Sequence, residues 1–153
     1  MNRPGIFPAL EIWYCAFVDY GRRLPWHWLT RRGFRHCFAF AFDTTTGTWI
    51  VFDPTLEGFV VRPLTRSAVD AMIAEVMLVD GRILKCRFEG RAPRRPRLFA
   101  TCVTTLIHLL GLPCCAVRPD GLYRFLLKRG AVPVFERAKD EGPVRELDPT
   151  ARR

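Results

Sequence analysis

The run FRHCFAFAFD, residues 34–43, constrains the fold more than any other stretch. Phe34, His36, Phe38, Phe40 and Phe42 alternate with Arg35, Cys37, Ala39 and Ala41. A period of two is the signature of a β-strand. Bulky side chains on one face and small ones on the other describe a strand covered on both sides. The turn material TTTGT (44–48) follows, and then WIVFDP (49–54), a second strand ended by Pro54. The two runs make an antiparallel hairpin.

The remaining segments build on that hairpin. EIWYCAFV (11–18) is aromatic and β-branched and reads as a buried strand. GFVVRPL (58–64) and ILKCRFEG (83–90) supply further strands. In SAVDAMIAEVMLVDG (67–81), Val69, Met72, Ile73, Val76 and Met77 recur at helical spacing after a capping Ser67, and Gly81 stops the pattern. ATCVTTLIHLLGL predicts a helix from Cys102 to about Leu110, capped by Thr101 and ended by Gly111. PCCAV (113–117) reads as a short strand, and RPDGLYRFLLKRG (118–130) as a helix capped by Asp120. The expected fold class is α+β: an antiparallel sheet of four to six strands packed against the Cys102 helix and the 67–80 helix. One domain over residues 1–137 and a polar, frayed tail over 138–153 complete the organisation.

A chain of 153 residues suits a single core. At 49% apolar and 25% charged it excludes global disorder. No apolar run approaches the roughly 20 residues that span a bilayer, and the N-terminus lacks the order of a secretory signal. No membrane partner is therefore expected. Six cysteines in a chain of this length need no disulfides, and Cys114 and Cys115 are adjacent. Reduced thiols and a cytoplasmic or virion-associated location fit best. The net charge of +9, mostly arginine, permits anionic partners.

Chemistry narrows to a few residues. There are three histidines, His27, His36 and His108. Cys102 opens a helix, where unpaired N–H groups and the helix dipole favour a thiolate. His36 lies mid-strand, and the hairpin brings Asp53, at the end of the next strand, level with it. A carboxylate there can fix the tautomer of the ring. Cys102, His36 and Asp53 thus form a candidate Cys–His–Asp set in the chain order His, Asp, Cys. Each has a plainer alternative: packing for Cys102 and His36, a turn role before Pro54 for Asp53. His108, six residues after Cys102, is turned about 600° around the helix and points elsewhere. It reads as a packing residue, and His27, between Trp26 and Trp28, as a loop residue. No zinc spacing and no phosphate-cradling glycine loop occur, so no metal and no cofactor are expected.

The pieces FRHCFAF, WIVFDP and ATCVTTLIHLLGL, in that order, resemble the circularly permuted papain-like group: the permuted NlpC/P60-type cysteine peptidases and their LRAT-like relatives. LGL followed by RPDGLYRFLL also looks like small phage proteins of this type. The resemblance spans roughly residues 11–128. It implies a thiol hydrolase acting on an amide bond in a peptide or peptidoglycan stem. His36 would take and return the proton of Cys102, Asp53 would orient His36, and the Cys102 N–H would be one oxyanion donor. Trp26, Trp28 and Tyr14 are open candidates for the second. The LRAT-like enzymes carry Asn-Cys-Glu-His where this chain reads Thr-Cys-Val-Thr, which points away from a lipid acyltransferase. Phe34, Cys37 and Phe38 flank the histidine, where peptidoglycan-cleaving relatives carry a polar, glycine-rich groove. A non-catalytic virion or nucleic-acid-associated protein is the alternative. Arg87, Arg91, Arg94, Arg95 and Arg97, with Arg22, Arg23, Arg31, Arg32 and Arg35, would then meet phosphate or phage structural partners.

Overall fold

A computed structural model describes residues 10–19, 31–55, 58–87 and 101–135. The described elements run β1 (Ile12–Val18), β2 (His36–Asp43), β3 (Thr48–Thr55), β4 (Gly58–Leu64), α1 (Arg66–Leu78), β5 (Arg82–Arg87), α2 (Cys102–Leu109), α3 (Pro119–Lys128) and β6 (Val132–Phe135). All strands pair antiparallel in one six-stranded sheet of order β4-β3-β2-β1-β5-β6. The fold is α+β, with three described helices around that sheet. Residues 20–30, with Trp26, His27 and Trp28, the arginines of 91–97, and residues 138–153, read from the sequence as a frayed tail, lie outside the described residues.

The two faces of β2 decide where the helices go. Its small face, Cys37, Ala39 and Ala41, shares a core with Val103, Leu106 and Ile107 of α2, with Leu110 just after it, and with Leu122, Tyr123 and Leu126 of α3. Its aromatic face, Phe38 and Phe40, packs with Val69 and Val76 of α1. Tyr14 stacks on Phe40 at 5.2 Å on that same side. The β2–β3 hairpin closes as its sequence indicates. Asp43 accepts bonds from the Thr45 N–H at 2.9 Å and the Thr46 hydroxyl at 2.7 Å, which hold its carboxyl below the usual range.

Several expectations need correction. Phe34 does not share a face with Phe38. Its ring meets Tyr123 at 5.2 Å and Phe17 at 6.0 Å, on the α2–α3 side. The alternation slips just before β2, where the Arg35 N–H bonds the Val18 carbonyl at 2.9 Å although the ladder pairs Val18 with His36. The cap of α1 is Thr65, which accepts from the Ala68 N–H, and Ser67 only bonds the Thr65 hydroxyl. Asp120 does not cap α3. Arg118 occupies the cap position, and Asp120 sits buried in the first turn against Arg124 at 2.6 Å. Residues 113–117 form no strand; the Cys114 sulfur there accepts from the Ala116 N–H. Strand β6 was not expected. With Val132 exposed and Pro133 on a sheet edge, it has little of the apolar patterning that marks a buried strand.

Gly81 closes the return from α1 to β5, its N–H bonding the Val76 carbonyl at 2.8 Å. A Cβ added there would lie 2.5 Å from Val76 Cγ1 and 2.6 Å from the Val76 oxygen. Gly81→Ala is expected to destabilise the protein by about 1–3 kcal/mol, the range for overpacking. Urea unfolding measures this, and a loss below about 0.5 kcal/mol, the usual scatter of surface changes, would show that the turn relaxes freely.

Candidate functional site

The site lies where α2 begins and β2 starts. Thr101 caps α2 as its sequence indicates: its hydroxyl accepts the Thr104 N–H at 3.2 Å, and Thr104 Oγ1 accepts the Thr101 N–H at 2.8 Å. That reciprocal box fixes the entry angle of the helix. Cys102 is therefore the first helical residue, partly exposed, at the positive end of the helix dipole.

His36 opens β2, directly after the slip in alternation at Arg35. Such irregularities re-aim side chains. The backbone ladder between β2 and β3 runs from Asp43–Thr48 to Ala39–Phe52 and goes no further. Beyond it the two strands are joined by side chains, with His36 Nε2–H donating to Asp53 Oδ1 at 2.7 Å. Asp53 itself pairs with Val60 in the β3–β4 ladder. The ring of His36 rests on Phe38, with centroids 6.3 Å apart. The side chains of His36 and Asp53 remain 22% and 26% exposed, so solvent and small reactants reach them.

The Cys102 sulfur accepts hydrogen bonds from the Cys37 thiol, the His36 ring and the Cys37 backbone N–H. With Nε2 on Asp53, Nδ1 is the nitrogen left for the sulfur. The bond from the Cys37 thiol and the adjacent imidazolium outweigh burial and bring Cys102 down to about 5. Burial works against a charged His36, but the bonds to Asp53 and Cys102 and the charges behind them raise it to about 9. Between these values the pair is a thiolate and an imidazolium. Burial, together with the bond to Cys102, pushes the Cys37 thiol up, so it remains a donor.

Cys102, His36 and Asp53 are thus brought together in a chain. Cys37 belongs beside them and was missed. Its place next to His36, on the small face that meets α2, was the signal in the sequence. His108 does not pack: it is exposed in the last turn of α2, far along the helix from Cys102. Tyr14 is no oxyanion donor to this site, since its ring lies on the α1 side against Phe40 and Trp49. Among the described residues no His, Cys, Asp and Glu group has the arrangement to hold a metal ion.

Alkylation of Cys102 by iodoacetamide is expected to follow a midpoint near pH 5 rather than the ordinary thiol value near 9. His36→Ala should move that midpoint upward and slow labelling at pH 6, read by mass spectrometry of the Cys102 peptide. A midpoint near 9 in the native protein would deny the ion pair.

No family model, no curated protein and no solved structure matches the chain, so its functional reading rests on this geometry.

Proposed function

We propose that the chain is a thiol hydrolase that cleaves an amide bond in a peptide or peptidoglycan stem, built on a permuted papain-like arrangement of the NlpC/P60 type. One observation carries the reading. The carboxylate of Asp53 holds the ring of His36 at 2.7 Å, and Cys102, at a helix N-terminus, is brought down to about 5 by bonds from the Cys37 thiol and that ring.

Each part has a chemical task. The Cys102 thiolate attacks the scissile carbonyl, and the developing oxyanion meets the Cys102 N–H, which lacks an intrahelical partner at this position. His36 passes its proton to the departing amine, leaving a thioester. The neutral ring then takes a proton from water, and the resulting hydroxide releases the acid and the free sulfur. Asp53 keeps Nε2–H engaged throughout, so Nδ1 carries the transfers. In the sequence, resemblance to small phage proteins supports a phage source and a virion-associated or cytoplasmic setting.

The competing reading, a non-catalytic virion or nucleic-acid-associated protein, draws on exposed Arg31, Arg32 and Arg87. Arg35 is less suited to such a patch, because it is tied to Asp19 at 2.9 Å.

Release of new amino groups from purified peptidoglycan and from stem peptides tests the proposal. The rate should fall below about pH 5 as the sulfur protonates and above about pH 9 as the imidazolium loses its proton. Cys102→Ala should abolish turnover, and His36→Ala should lower it by about 10²–10⁴-fold. Turnover that survives Cys102→Ala contradicts the assignment. So does salt-sensitive DNA binding, unchanged in Cys102→Ala, in a protein without amidase activity.

A further inference from the structure

Two sulfurs meet at the centre of the site, and acyl transfer uses only one of them. Cys102 is partly exposed, while Cys37 beneath it is wholly buried and donates its thiol proton toward the Cys102 sulfur. Proton traffic is already served by His36. A second thiol against a reactive thiolate is instead suited to capturing an oxidised sulfur, because disulfides form by attack of one sulfur on another.

We propose that Cys102 and Cys37 form a peroxide-responsive pair, in which oxidation of Cys102 is captured by Cys37 as an intramolecular disulfide that reversibly closes the site. The oxidant is a hydroperoxide. The Cys102 thiolate attacks the terminal peroxide oxygen and the O–O bond breaks. The departing oxide takes the proton of His36 and leaves as water when the oxidant is hydrogen peroxide. Cys102 is then a sulfenic acid and His36 is neutral. The Cys37 sulfur then attacks Cys102, the S–O bond breaks, and the departing hydroxide leaves with the proton of the Cys37 thiol as a second water. Two electrons have passed from the two sulfurs to the peroxide, and one S–S bond has formed.

The same core holds a control. Cys15 and Cys86 lie 3.7 Å apart on neighbouring strands β1 and β5. They are 0% and 8% exposed. The bond to Cys86 and burial push Cys15 well up, so it stays a protonated thiol. Of these four sulfurs, that of Cys102 combines partial exposure with thiolate character.

The test uses the full chain, graded hydrogen peroxide, trapping of free thiols, and peptide mapping without reductant. It does not require amide turnover, so its result stands apart from the hydrolase reading. The expected result is a Cys37–Cys102 cross-link that forms before any Cys15–Cys86 link. Iodoacetamide labelling of Cys102 should drop at least 10-fold and return with dithiothreitol. In Cys37→Ser the cross-link should vanish and Cys102 should proceed to sulfinic acid, which dithiothreitol does not reverse. Because Cys37 is buried, Cys37→Ala provides a second variant, with circular dichroism confirming the fold. A native protein in which Cys102 overoxidises as fast as in the folded variant overturns the pair. So does a first cross-link between Cys15 and Cys86.

Discussion

Helix α2 crosses the sheet over some of the smallest side chains in the core, Cys37, Ala39 and Ala41, and that close approach lets sulfur touch imidazole. Interiors pack at near-crystalline density, so the volume on a strand face sets the height of the layer above it. Phenylalanines on the small face of β2 would lift α2 and carry Cys102 away from His36. On the opposite face the same strand needs bulk, and Phe38 and Phe40 fill the space under α1. The asymmetry of one strand thus places two layers at different heights and brings the helix that bears the thiol to the sheet.

The electrostatics follow from that approach. A partly buried imidazolium is unfavourable by itself, and so is a partly buried thiolate. Each becomes stable because the other is present and because neutral donors are aimed at the sulfur. The Cys37 thiol and N–H, the ring of His36 and the start of α2 all present positive ends to it. Asp53 completes the balance on the far side of the ring. The same convergence that lowers Cys102 leaves Cys37 protonated in contact with it, which joins nucleophilic chemistry and the redox pair in one geometry.

What the sequence made legible was local. The β2–β3 hairpin, the Thr101 cap and the start of α2 are written in adjacent residues, and the hairpin carries His36 and Asp53 to the same end of neighbouring strands, where a side-chain bond spans the offset its register leaves. What it concealed depended on partners far along the chain. Strict alternation assigns Phe34 to the face of Phe38, but a one-residue slip against Val18 sends it to Tyr123. Asp120 looks like a cap, yet Arg118 takes that position and Asp120 lies buried in the first turn, paired with Arg118 and Arg124. Helical rotation takes His108 away from Cys102, but whether that direction is core or water depends on the other helices, and it is water. Cys37 was visible as a small residue. Its role beside the nucleophile appears only once α2 is laid across β2.

The central claim is the charged state of the Cys102–His36 pair, and the ring of His36 reports it most directly. Nitrogen chemical shifts of that imidazole, followed by NMR from pH 5 to 10.5, should show it doubly protonated through neutrality, losing its proton near pH 9. Titration near the ordinary histidine value of about 6.5, with no response to replacing the sulfur, would contradict the account.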